Sequence, residues 1–170
     1  MRAPLVLVFW WGRDRVEELT RGEDSSTINE NQVETVGKDV HRVGKIDLEM
    51  YAEVATGSIM TDEVIITDNR IEHIIERRGE RFYNTVKEYF SEIVSDPDYI
   101  FKDDRKNTAI ASKSYVYNEK TINIVLRLAV EGDDPSYKNS IITAIGENER
   151  RFAQRLRNNN PVYKKVDKQE

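Results

Sequence analysis

The sequence predicts an α+β fold, with N-terminal helices packed on an antiparallel β-sheet meander and a short C-terminal helix. Three successive stretches of period predict it. Apolar residues recur at helical spacing from Ile71 to Ile93, alternate with a period of two from Ala109 to Ile145, and return to helical spacing at Phe152 and Leu156. At 170 residues the chain can bury a core as one domain. That domain is expected over residues 44–170, behind an N-terminal extension, residues 1–43, that carries an acidic linker.

Leu5 to Trp11, LVLVFWW, is β-favouring and apolar on both parities, so it predicts a buried strand or hydrophobic plug, with Trp10 and Trp11 as packing residues. Gly22 to Val40 is polar, acidic and without period, and predicts a loop or linker. Asp47 to Val54 predicts a short helix with Leu48, Tyr51 and Ala52 on one side. Thr61 to Thr67 then leads, as a strand or an extended lead-in, into a helix that Thr67 or Asp68 can cap, that Ile71, Ile74 and Ile75 make apolar on one side, and that Gly79 stops or bends. Phe82, Val86, Phe90 and Ile93 continue as a second core-facing helix, ended by the segment around Pro97, which delivers Tyr99 to Phe101 as a short extended element.

Alternation takes over from there. Ile110, Ser112, Ser114 and Val116 share one face of a strand; Ala109, Ala111, Lys113 and Tyr115 share the other. After a turn at Asn118-Glu119, Ile122, Ile124, Leu126, Leu128 and Val130 line an apolar face opposite Asn123, Val125 and Arg127. A polar loop leads to the strand Ser140 to Ile145, in which Ile141, Thr143 and Ile145 are expected to point one way. The closing helix is built on Phe152 and Leu156, carries Arg150, Arg151, Arg155 and Arg157, and stops at the Asn run before Pro161.

Composition narrows the chemistry. A net charge of −5 excludes a uniformly basic nucleic-acid binder, so any phosphate binding must use a local basic surface. The absence of cysteine excludes disulfides, thiolate metal sites and a cysteine nucleophile. Two histidines are too few for a His-rich metal site, and the eight glycines form no phosphate loop, which argues against nucleotide-triphosphate or dinucleotide chemistry. No cofactor or metal is expected. The apolar Ala3 to Trp11 run is too short to span a membrane, and a soluble cytoplasmic protein is expected.

His41 has no partner at ligand spacing and is expected on the surface. His73 is better placed, four residues before Arg77, so that a helix presents an imidazole and a guanidinium on one side. One can move a proton and the other can hold a phosphate in its transition state. If the less apolar sheet face looked at this helix, Lys113, Arg127 and Thr143 would converge with His73 and Arg77 on one cleft.

The strings DEVIITDNRIEHIIERRGER and PDYIFKDDRKNTAI, then Lys113-x-Tyr115, NSIITAI and NNNPVYKK, together resemble a phage- and mobile-element-associated nuclease-like family grouped with the barnase, EndoU, colicin and RelE folds. The resemblance spans roughly Gly44 to Lys165. It implies an RNase-toxin-like domain, a helix followed by a four-stranded antiparallel sheet, acting as a metal-independent endoribonuclease. The family's helical H-I-x-x-R falls on His73, Ile74 and Arg77, its strand lysine on Lys113 and its last-strand threonine on Thr143. The implied chemistry is attack of an RNA 2′-hydroxyl on its own phosphate, with His73 as general acid or base and Thr143 donating to a phosphate oxygen. Arg77, with Arg78, Lys113 and Arg127, would stabilise the phosphorane, each well-placed cation being worth ~2–4 kcal/mol. Tyr115 is a candidate for stacking on a base. Many relatives carry a histidine where this chain has Arg78.

Two classes of function follow. One is an RNase effector or toxin in a host cytoplasm, with RNA as substrate and an immunity or antitoxin protein as partner. The other is a catalytically inactive domain of the same fold that binds nucleic acid or protein, favoured by the acidic net charge and by Arg78. A virion or mobile-element structural role is a weaker third. The acidic Asp14–Glu34 region is also a candidate internal mimic of nucleic acid, folded over the basic site.

Overall fold

A computed structural model describes residues 39–115 and 120–166. The expected strand or plug at Leu5–Trp11, the acidic linker and the Asn118-Glu119 turn lie outside the described residues.

The fold is α+β. Among the described residues its sheet is mixed, of seven strands: β1 (Val40–Lys45), β2 (Glu63–Thr67), β3 (Tyr99–Lys102), β4 (Thr108–Tyr115), β5 (Lys120–Arg127), β6 (Asn139–Asn148) and β7 (Tyr163–Lys164). They lie in the order β1-β2-β6-β5-β4-β3-β7. The β3–β4–β5–β6 part is the expected antiparallel meander. In the other part the strand at Thr61–Thr67 was expected, and it forms β2, but β1 and the pairings of both were not. β1 pairs antiparallel with β2, and β2 runs parallel to β6. Val40–Lys45 lacks an apolar run, and β1 is held as an edge by backbone pairing and by a hydrogen bond between His41 Nε2 and Asp68 Oδ1 at 2.6 Å. The expected boundary between residues 43 and 44 therefore falls inside a paired strand. The β2–β6 junction is closed by the fully buried Asn139. Its amide donates to the carbonyls of Thr61 and Glu63 at 2.7 and 3.0 Å and accepts from the Ala129 amide at 2.9 Å, satisfying backbone groups that the short parallel pairing leaves open.

Five α-helices complete the described chain: α1 (Leu48–Tyr51), α2 (Asp68–Arg78), α3 (Glu80–Val86), α4 (Phe90–Ser95) and α5 (Glu149–Asn158). Gly79 separates α2 from α3 with φ +93° and ψ 149°, a conformation open to glycine and strained for other residues. The expected helix over Phe82–Ile93 is broken by a 3-10 turn at Lys87–Tyr89, yet its stripe survives, with Val86, Phe90 and Ile93 buried.

The sheet has two unlike faces. Ile122, Ile124, Leu126, Ile141 and Ala144 join Tyr51, Ile74, Val86, Phe90 and Ile93 in one large core under α1–α4. Tyr51 is fully buried and donates to the Val94 carbonyl at 2.7 Å, tying α1 to α4. On the opposite face Phe101, Ile110, Val125 and Ile145 form a smaller core under Phe152 of α5, with Leu156 against it.

Candidate functional site

The helices do not cover the whole sheet. Where α3 and the 3-10 turn pass the ends of β4 and β5 they leave a groove of about 730 Å³. Its wall carries Arg78, the last residue of α2, then Arg81, Phe82 and Thr85 of α3, and Tyr89. Its floor is Tyr115 of β4 with Lys120 and Ile122 of β5. Phe82 seats α3 on the sheet: a Cβ built on Gly146 would meet its ring at 3.2 Å, so the ring edge needs the bare glycine beneath it.

The groove pairs aromatic surface with positive charge. Tyr89 and Tyr115 have ring centroids 4.7 Å apart and planes tilted by 47°. Tyr89 is exposed, whereas Tyr115 packs partly into the helix-side core. Burial, followed by the nearby Glu92 carboxylate, pushes the Tyr115 phenol above its ordinary pKa, so it stays a neutral platform at physiological pH. Arg81 and Lys120 have no ion-pair partner among the described residues. Arg81 and Lys120, set beside a tilted pair of rings, form a surface suited to a flat base joined to a phosphate.

No family model, curated protein or solved structure matches this chain. The site therefore rests on its own geometry.

The expected cleft of His73, Arg77, Lys113, Arg127 and Thr143 is not assembled. The more apolar face, not the less apolar one, lies against α2, because Ile122, Ile124 and Leu126 gain most from the apolar sides of several helices. His73, half-buried, and Arg77, exposed, ride on α2 above that face. Lys113 shares the face but is held at β4, where Nζ donates to the Asp96 carbonyl at 2.6 Å and to Asp96 Oδ2 at 3.0 Å, with Glu92 at 3.5 Å. Lys165 reaches the same Asp96 Oδ2 at 2.6 Å. Lys165 first, then Lys113, holds the Asp96 carboxyl below the ordinary aspartate range.

Thr143 and Arg127 lie on the other face. Thr143 pairs with Val125, part of the α5-side core, and its hydroxyl is buried without a hydrogen-bond partner. The expectation that Ile141 and Thr143 point the same way fails at a β-bulge. Leu126 opposes Ile141, Val125 opposes Thr143, and the extra Ile142 reverses the alternation. Arg127 is turned to the loop after β5, donating to the Leu128 carbonyl and lying 3.4 Å from Asp133.

Two residues assigned to substrate binding, Arg78 and Tyr115, do meet in the groove. Arg81, Tyr89 and Lys120 were not singled out by the sequence. Tyr89 did leave a signal: it falls outside the Phe82–Val86–Phe90–Ile93 stripe, so packing does not require an aromatic there, and it is 37% exposed. Among the described residues no three His, Asp or Glu side chains gather as a metal site, and no helix is long and apolar enough to cross a membrane.

Proposed function

We propose that this protein binds single-stranded RNA in the groove between α3 and the Tyr115–Lys120 end of the sheet, as a nuclease-like domain used for binding. One observation carries this reading: the Tyr89–Tyr115 ring pair shares a groove with Arg78, Arg81 and Lys120. The exposed Tyr89 ring suits an unpaired base, while the cations suit the backbone that joins one base to the next. A local basic surface also reconciles phosphate binding with a net charge of −5.

The test is fluorescence anisotropy of a labelled single-stranded RNA at low salt, with Tyr89→Ala and Arg81→Ala/Lys120→Ala variants. Loss of one stacked base corresponds to ~1–3 kcal/mol, or roughly 5- to 150-fold weaker binding for Tyr89→Ala. The charge variant should also flatten the salt dependence. Unchanged affinity in both variants would reject the groove.

A second reading, metal-independent endoribonuclease, is built on His73. It is half-buried on α2, five residues before the groove residue Arg78, about 7.5 Å along the axis and turned about 140° around it. In this reading the 2′-hydroxyl attacks its own phosphate to leave a 2′,3′-cyclic phosphate and a 5′-hydroxyl, with His73 moving the proton and Arg77 and Arg78 facing the phosphorane. Host cytoplasm and an immunity or antitoxin partner belong to it. Incubation with cellular RNA in EDTA, beside His73→Ala, tests it. Cyclic-phosphate ends lost in the mutant support catalysis; intact RNA with both proteins leaves binding as the function.

A further inference from the structure

At the groove's floor three strands end in one row. Tyr115 of β4 is directly opposite Lys120 of β5, and Lys120 is directly opposite Asn148 of β6. Two strand spacings carry that row from the tyrosine to Asn148, about 10 Å. Asn148 is also the N-cap of α5, its side chain accepting from the Arg151 amide at 2.9 Å. The rim of the groove on the helix face is thus continuous with the first turn of the helix on the other face.

The charge of α5 is sorted by side. Phe152 is buried and Leu156 packs against it, while Arg155 turns inward, its guanidinium reaching Glu147 at 2.6 and 3.1 Å. At 100° per residue, Arg150, Gln154 and Arg157 share the opposite side, with Arg151 beside them. Glu149 projects from a different side. All three outward arginines are exposed and none has an ion-pair partner among the described residues. The row Arg150 to Arg157 runs about 10 Å along the helix. Arginines left unpaired in an acidic protein, while the inward one is fully engaged, are placed for an external anion.

Resting on the RNA-binding reading, we propose that the bound strand does not end in the groove. It passes over the Lys120–Asn148 rim and continues along the Arg150–Arg157 side of α5, so the ligand is a run of several nucleotides and not a mononucleotide. The groove takes bases by stacking; the helix takes only phosphates. The second part of the site is therefore indifferent to sequence and strongly dependent on salt.

Anisotropy with a labelled trinucleotide and a labelled dodecanucleotide of uridine separates the two parts, using the wild-type chain, Tyr89→Ala, and the triple variant Arg150→Ala/Arg151→Ala/Arg157→Ala. Wild type should bind the longer RNA more tightly, and the triple variant should lose ~10-fold or more on it while keeping the trinucleotide affinity. Its salt slope should fall by about 2, from three phosphate contacts at roughly 0.7 each. Circular dichroism confirms that the surface variant is folded, and a triple Arg→Lys variant should retain most of the long-RNA affinity. Equal affinity for both lengths, or a triple variant that still prefers the longer RNA, overturns the path over α5 while a Tyr89-dependent trinucleotide affinity keeps the groove. Binding insensitive to Tyr89→Ala overturns both.

Discussion

The two faces of the sheet differ in kind. The α1–α4 face is nearly all hydrocarbon, Ile122, Ile124, Leu126 and Ile141 packed against Ile74, Phe90 and Ile93. The α5 face mixes a small core with buried polar pairs. Ser112 donates to Asn123 at 2.5 Å, Ser114 lies 3.0 Å from Thr121, and Glu147 holds Arg155. The apolar strength of a face decides how much helix it recruits, and open chemical surface is left where that cover runs out, at the Tyr115–Lys120 end.

The sharpest test of the contrast uses neighbours in β5 that point to opposite faces, Ile124 and Val125, both fully buried. Ile124→Ala should cost about 2–5 kcal/mol by urea denaturation, and Val125→Ala roughly half as much, since it removes fewer methyl groups from a smaller cluster. Equal costs would mean that the two faces are packed alike. Next in size, Arg155→Ala strands the Glu147 carboxylate, whose side chain is only 6% exposed, and should cost roughly 3 kcal/mol. Replacing both partners by leucine should recover most of that loss, because no charge is then left without its partner.

A smaller effect comes from the Asp96 contacts that fasten β4 and the chain after β7 to the end of α4. The folded-state pKa of Asp96 is depressed by Lys165 and Lys113. Its contribution is therefore present above the unfolded aspartate value near ~3.9 and is lost as pH falls through the lower folded value. In Asp96→Asn the stability difference from wild type should be largest at neutral pH and shrink on acidification below about pH 4, as followed by denaturation across pH. The smallest effect is expected for Thr143→Val. Its buried hydroxyl has no partner, so removing it should change stability by less than about 1 kcal/mol, or raise it. RNA binding should be unchanged, whereas a catalytic threonine would make the same substitution abolish cleavage.

Only part of the candidate groove was legible. Arg78 and Tyr115 were assigned to substrate binding by resemblance, and both line the groove. Tyr89, Arg81 and Lys120 join them from a 3-10 turn, a second helix and another strand, and no spacing in the chain relates those positions. Lys113 and Arg127 look available as lone cations in alternating strands, but folding gives them Asp96 and Asp133 as partners.

Local pattern set the helical side of Ile71 and Ile74, the alternation of β4 and β5, the break at Gly79 and the amphipathic end helix, because each depends on residues within a few positions of one another. Tertiary structure alone decided that β2 lies parallel to β6, that an unpromising Val40–Lys45 becomes an edge strand, and that a bulge turns Thr143 away from Ile141. Those outcomes come from pairings between distant segments, whose register is set by the burial of the whole sheet and not by any one strand. The same long-range packing puts Tyr115, Lys120 and Asn148 in one row across three strands.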